Sequence, residues 1–347
     1  MKIKKLKSIK IKFLFFFIFL FILTLYILFF FPSTKKIMAQ SISLSLSPPL
    51  VEVVIKPNKS ILIAYTISNY GDPVILNSKV LPFEPKNNLG QIKIKENFEG
   101  PIRFSLDNSN LKLNQSFFLK TNESQQLLLR IRVPEGVKEG DYYYTFIVEN
   151  QALTNQTDKS ASFAKASIGA NILITVTETG KIEIKPKVVF FEVLPRFHLS
   201  LFGKKINFFD SNDPIPIVLI IENQGKNLIK AEGEIILKGN FGEKAKFNLI
   251  PQNILSESQR LIKATPSAEI NCNNFLNYKA CKSPISLLIS GFFLGFYQLS
   301  TTVFFGENSL QLSAKTSFFA FPIKILIVLI LILIISIFII KKLLNKD

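Results

Sequence analysis

Cys272 and Cys281 stand nine positions apart around NNFLNYKA, and the chain has no other cysteine. Thiols at this spacing close a small disulfide loop in an oxidising compartment and stay free in a reducing one. A zinc site needs more ligands than two thiols, and the sequence offers one histidine, His198. His198 lies in RFHLSLF, whose alternation marks a strand, so it reads as a strand residue rather than the general base of a Ser–His–Asp or Cys–His set. The carboxylates are scattered over turns, and no spacing brings two of them into the cleft that glycoside chemistry requires. FDSNDP, residues 209–214, gathers the oxygen ligands that Ca²⁺ prefers in Asp210, Asn212 and Asp213. The same residues form Asx turns ahead of a strand, and their spacing fits no EF-hand. The sequence therefore implies no resident cofactor and no metal, and a binding protein rather than an enzyme.

The residues that would position such chemistry lie between two long apolar runs, 13–31 and 318–340. A bilayer crossing takes about 20 apolar residues, so both runs read as membrane segments. The net charge of +17 follows this layout. Residues 1–40 carry eight lysines and no acid, and residues 315–347 carry five lysines against Asp347. A net charge of only +5 is left for everything between. Lysines beside an apolar segment hold that flank in the cytoplasm. A nucleic-acid footprint would need basic residues clustered on the folded part, and none is seen. Both termini are thus expected to start out in the cytoplasm, with the chain between them outside a plasma membrane and the C-terminus remaining cytoplasmic. Residues 1–40 form either a cleaved signal peptide, with Ala39 at the cleavage position, or an uncleaved signal anchor.

From Ser41 the pattern is that of strands. SISLSLSPPLVEVVI alternates, broken by Pro48–Pro49, as a first strand with a kink or a change of sheet would be. SILIAYTISN, PVILNSKVLPF, PIRFSLD, QQLLLRIRVP, DYYYTFIVEN and GANILITVTETG follow, separated by Gly, Pro, Asn and Asp. Seven short runs of this kind predict an immunoglobulin-like β-sandwich over residues 41–179. Tyr142, just after Gly140–Asp141, sits where a tyrosine corner bonds the upstream backbone. Alternation would bury Tyr142 and Tyr144 and leave Tyr143 facing out. The polar segment 151–167 is long for a hairpin connection and is either a partner-contacting loop or plain flexibility.

After Gly180 the pattern restarts. KIEIKPKVVFFEVLP opens a second set of runs, and IPIVLIIENQG repeats ILIAYTISNYG. In both, the second strand ends on Asn-x-Gly, as Asn69–Gly71 and Asn223–Gly225, a turn expected to need a residue tolerant of positive φ. The fold class is all-β: two tandem immunoglobulin-like sandwiches, 41–179 and 180–316, between an N-terminal signal or anchor helix and a C-terminal transmembrane helix, 318–340. Residues 341–347 form a basic cytoplasmic tail.

SPPLVEVVIKPNKSILIAYTISNYGDPV and the later VPEGVKEGDYYYTFIV resemble the amino-terminal domains of pilus-chaperone-like and WxL-interacting surface proteins. Asn58 stands where their first turn usually carries glycine. IIENQGKNLIKAEGEIIL and NILSESQRLI resemble the trailing sandwich of bacterial single-pass proteins of the same layout. The resemblance implies fold and architecture. The paired basic residues with which pilus chaperones grip a subunit's carboxyl terminus have no match here, so it does not imply chaperone activity. The expected function is scaffolding or binding of a surface protein or cell-envelope polymer. The alternative is a tethered, chaperone-like assembly factor acting by strand addition, and the remote alternative an enzyme of unfamiliar type.

Overall fold

A computed structural model describes residues 18–24, 26, 41–151, 165–195, 197–201, 204–266, 284–306 and 310–344. Cys272, Cys281 and residues 152–164 of the long polar segment lie outside the described residues. Residues 18–24 are helical. Ile42–Gln151 and Lys165–Asp347 form one compact unit. Among the described residues it contains one large hydrophobic core for each expected sandwich and a small third cluster around Val218, Leu261 and Ile285 of the second.

The first sandwich comprises β1 (Leu44–Ser47), β2 (Leu50–Ile55), β3 (Ser60–Asn69), β4 (Val74–Pro85), β5 (Ile92–Ile94), β6 (Arg103–Leu106), β7 (Ser116–Leu119), β8 (Glu123–Arg132), β9 (Gly140–Asn150) and β10 (Ser167–Val176). One sheet runs β1-β3-β8-β6; the other runs β2-β10-β9-β4-β5, with β7 added to β4. The interruption at Pro48–Pro49 is a change of sheet. β1 pairs antiparallel with β3, and β2 then pairs parallel with β10 in the facing sheet. Strand alternation builds the core directly: Leu127, Leu129 and Ile131 of β8 are fully buried against Tyr65 and Ile67 of β3. Asn58 adopts φ of 58°, a left-handed conformation that asparagine tolerates better than most residues, which is how it serves in a glycine's place.

The second sandwich comprises β11 (Pro186–Val193), β12 (Phe197–Leu201), β13 (Lys204–Asp210), β14 (Ile215–Asn223), β15 (Ile229–Gly239), β16 (Lys244–Asn248), β17 (Gln252–Ile254), β18 (Ser258–Leu261), β19 (Leu287–Ile289), β20 (Gly295–Phe304) and β21 (Gln311–Phe321). Its sheets run β11-β14-β18, with β19 on β14, and β12-β13-β21-β20-β15-β16, with β17 on β15. The plan repeats the first sandwich. β13 pairs parallel with β21 as β2 does with β10, and β17 joins β15 as β7 joins β4. His198 falls in the β12–β13 hairpin, in register with Asn207.

The end of this sandwich differs from the sequence expectation. Residues 318–321 were expected to open the transmembrane helix after a sandwich ending at 316. They instead complete β21, and the helix spans Ile323–Leu344. FFAF turns its side chains alternately in and out, and Phe318 is buried against Phe209, Phe293 and Tyr297. Pro322 then separates the two elements, since proline holds the preceding residue extended and suits a helix start. The 22-residue helix is about 33 Å long, enough to cross a bilayer core of about 30 Å.

Candidate functional site

The two sandwiches meet across a polar junction. Asp141 opens β9, where its carboxylate accepts from Thr175 Oγ1 at 2.8 Å and Tyr143 Oη at 2.9 Å within the first sandwich. Across the junction it accepts from Asn227 Nδ2 at 2.9 Å and from the Leu228 amide. Tyr143 is not turned to solvent as alternation had implied. Its hydroxyl lies 3.0 Å from Ser256 Oγ and accepts from the Ser256 amide at 2.9 Å, while its ring stacks on Phe83. Burial and the neighbouring Asp141 charge push this phenol far above its ordinary pKa, so it stays a neutral donor. Tyr142 points elsewhere: its hydroxyl donates to the Lys138 carbonyl at 3.0 Å, the bond of a tyrosine corner.

The repeated turns serve different ends from those expected. Neither Gly71 nor Gly225 has a positive φ. The asparagines are the active members. Asn69 and Asn223 are fully buried, and each accepts from the amide of its glycine at 3.0 Å. Gly225 is required for close approach, because a Cβ would strike the backbone of Glu183–Lys185. That segment was expected to be part of a strand. It runs instead as an irregular strap, with the Glu183 amide donating to Asn227 Oδ1 at 2.9 Å.

Beside the junction lies a cleft of about 450 Å³ walled by both sandwiches. From the first come Glu52 of β2, Asn171 of β10 and the β4–β5 loop; from the second come Gln252, Gln259 and Arg260. The β4–β5 loop reaches over β18, where the Leu261 amide donates to the Asn88 carbonyl at 2.7 Å. Gly90, at φ of 79°, lies against the Arg260 guanidinium, where a side chain would collide. Asn253 Nδ2 donates to Glu52 across the cleft floor.

Arg260 is the chemically distinctive group here. It is half-buried, and among the described residues its one side-chain bond is a long 3.4 Å contact from Nε to Gln252 Oε1. Among the described residues no carboxylate lies within 4.0 Å of it. Burial without a counter-charge lowers its pKa below the ordinary value, although arginine remains protonated. A guanidinium has five donors, so this one faces the cleft with most of them available.

The Asp210 loop has a structural occupation. Asp210 Oδ1 accepts from the Asn212 amide at 3.3 Å, an Asx turn, while Oδ2 accepts from the Lys324 amide at 3.1 Å. The Lys324 ammonium lies 2.8 Å from Asp213. Burial raises the Asp210 carboxyl, but the two amides and the Lys324 charge outweigh it and hold it below its usual range. Among the described residues no three His, Cys, Asp or Glu side chains gather as a metal site would require. Asp141, Tyr143 and Arg260 were not singled out from the sequence. The sequence carried no signal for Arg260: the chain has five arginines against 37 lysines, but Arg103, Arg130 and Arg132 lie in strands as well.

No family model and no curated protein matches this chain. Among solved structures, the class 5 fimbriae chaperone CfaA is similar at 11% identity and a TM-score of 0.37, over 79% of this chain and 99% of that one. The E. coli chaperone DraB is similar at 14% identity and 0.33, over 79% and 98%. The Salmonella enterica SafA pilin complex with the SafB chaperone is similar at 10% identity and 0.33, over 80% and 98%. With TM-scores below 0.5, any functional reading rests on the geometry of this chain.

Proposed function

We propose that this chain is a membrane-anchored, non-enzymatic binding protein that engages a surface protein or cell-envelope polymer in the cleft between its sandwiches. The observation that carries the reading is Arg260, a half-buried guanidinium without a carboxylate partner among the described residues, facing a cleft lined by amide side chains. Such a group gains most from a ligand that brings a carboxylate or another anionic oxygen, because charge-assisted bonds are strongest where water is partly excluded. The amides of Asn171, Gln252 and Gln259 supply both donors and acceptors, which suits a polar chain, peptide or glycan. Anchoring is supported by the apolar C-terminal helix and the lysines that flank it, with the ectodomain outside the plasma membrane and the C-terminus in the cytoplasm.

Strand addition is the second reading, and one observation favours it. β2 is a sheet edge, bonded to β10 on one side, and Leu50 and Val54 on it are exposed. A partner peptide could extend the sheet there through main-chain bonds.

Crosslinking on intact cells, followed by identification of the captured partner, tests both. Arg260→Gln should reduce capture at least tenfold, the loss of about one charge-assisted bond. Undiminished capture would sink the cleft reading. A crosslinked peptide of alternating apolar residues lying along Leu50–Ile55 would favour strand addition.

A further inference from the structure

The end of the second sandwich that adjoins the C-terminal helix is ringed by apolar side chains turned away from the core. Phe321 closes β21 one residue before Pro322 and is exposed. Beside it the loop before β20 alternates: Phe293 is buried on Phe318, while Phe292 at 57% exposure and Leu294 at 39% point outward. Phe296, on the outer face of β20, is exposed and touches Phe319 of β21, which touches Phe208 of β13. At the β15–β16 turn Phe241 is 73% exposed, the highest value among the exposed apolar residues of this sandwich. Its ring comes within 3.6 Å of where a Cβ would stand on Gly295.

These residues come from separate segments, but the register brings them to one pole. Asp210 pairs with Phe321, Phe296 with Phe319, and Gly239 with Tyr297. The row crosses β13, β21, β20 and β15, about 15 Å at the usual strand spacing. The pole is held rigidly. The Phe293 amide donates to the Ser211 carbonyl at 2.9 Å, and the Ser211 amide to the Phe321 carbonyl at 3.2 Å. Glu243 accepts from the Phe241 amide at 3.0 Å and from Tyr297 Oη at 3.1 Å, which fixes the turn that projects Phe241. The clamp of Asp210 and Asp213 on Lys324 ties the start of the helix to the same pole.

We propose that this pole is a lipid-facing collar, with Phe241, Phe292, Leu294, Phe296 and Phe321 seated in the interfacial layer of the bilayer that the C-terminal helix enters. The inference rests on that helix crossing a membrane. Its occupant follows from continuity: the apolar surface leads through Phe321 into Ile323, the first helical residue, with the Asp213–Lys324 ion pair as the charged group beside it. Aromatic side chains are favoured at this depth. A soluble sandwich has no comparable reason to expose five large apolar groups at one end. The junction with the first sandwich lies at the opposite pole, since β14 runs from Ile215 near the collar to Asn223 at the junction. Nine residues of strand span roughly 30 Å. The collar would therefore fix the tilt of the ectodomain and hold the cleft at a set height above the lipid.

The chain has no tryptophan, so one introduced residue is a clean reporter. Phe241→Trp, Phe292→Trp, Phe304→Trp and Ile332→Trp are reconstituted as full chains in vesicles containing lipids brominated either near the headgroup or near the chain end. The expected result is that Trp emission in the first two variants shifts to the blue and is quenched by the shallow bromines. Phe304→Trp, at the far end of β20, stays unquenched, and Ile332→Trp is quenched by the deep bromines. Quenching at position 332 with none at 241 or 292 would overturn the collar and leave the membrane helix intact. No quenching at 332 would overturn both. A blue shift at 241 that tracks protein concentration and ignores brominated lipid would assign the face to a second copy of the chain instead.

Discussion

Asn69 and Asn223 hold the same position in the two sandwiches and make the same set of hydrogen bonds. Each accepts from the amide two residues ahead at 3.0 Å. Each donates at 2.8 Å to a carbonyl in its own turn, Asp72 for one and Asn227 for the other. Each reaches across to two successive carbonyls at the end of a distant strand: Leu119 and Lys120 after β7, Ile254 and Leu255 after β17. A fully buried amide thus stitches the exit of β3 to the end of β7 in one sandwich, and the exit of β14 to the end of β17 in the other. Primary amides alone offer two donors and an acceptor in so small a group.

This pattern sets the first prediction. Asn223→Ala strands the Gly225 amide and several carbonyls in the core, and an unpaired buried group costs about 1–3 kcal/mol. The expected loss is about 3 kcal/mol. Asn223→Asp keeps the acceptor for Gly225 but turns a charge on the carbonyls, so it should be at least as damaging as alanine. Denaturant unfolding of the full chain in detergent micelles measures both. Variants within about 0.5 kcal/mol of the parent, an ordinary surface effect, would remove the asparagine from its role.

How far the sequence disclosed this depends on where each residue's partners lie. QQLLLRIRVP was legible as a strand, because a strand's period needs no distant information, and Leu127, Leu129 and Ile131 follow that period into the core. Pro48–Pro49 likewise marked a kink or a change of sheet, and the pairing of β1 with β3 and of β2 with β10 makes it the second. The repeated Asn-x-Gly was legible as a repeat but misread as a φ requirement, since the carbonyls that receive Asn223 lie 31 and 32 residues away. Phe318–Phe321 looked continuous with the helix because strand and membrane helix are equally apolar there, and only packing on Phe209 and Tyr297 separates them. Asp210, Asn212 and Asp213 were legible as an Asx-turn loop, but not their partner, because Lys324 is 114 residues away from Asp210 in sequence. Arg260 was missed for the same reason: its significance is the absence of a nearby carboxylate among the described residues, and spacing cannot reveal that.

The Asp210 clamp gives a prediction with a defined pH sign. Its folded pKa lies below the unfolded value of about 3.9, so its contribution is complete above that value and fades as pH falls through the folded pKa. Asp210→Asn should cost about 1 kcal/mol at pH 7, a modest figure because the Lys324 ammonium is largely exposed. Thermal unfolding of parent and variant between pH 7 and pH 3 should show the gap closing below about pH 4. A gap that persists undiminished at pH 3 would mean that the carboxylate charge is not what holds the helix start.

The remaining prediction concerns compartment. The Ala264 amide donates to the Ser286 carbonyl at 2.9 Å, so described residues on either side of the segment carrying Cys272 and Cys281 lie next to each other. If the ectodomain is exported, the two thiols meet oxidising conditions, and a disulfide across nine positions closes a short loop. The entropic gain from so short a loop is about 3 kcal/mol at most, less any strain. The bond would then be a local staple on a sandwich whose core, from Phe191 to Ala320, is already extensive among the described residues. Cys272→Ser should accordingly lower the melting temperature by a few degrees while folding and export persist. Intact mass of the chain taken from cells without reductant should be two hydrogens below that of the reduced chain. Both thiols reacting with an alkylating agent before reduction would exclude the bond, and with it the strongest chemical consequence of placing this ectodomain outside the membrane.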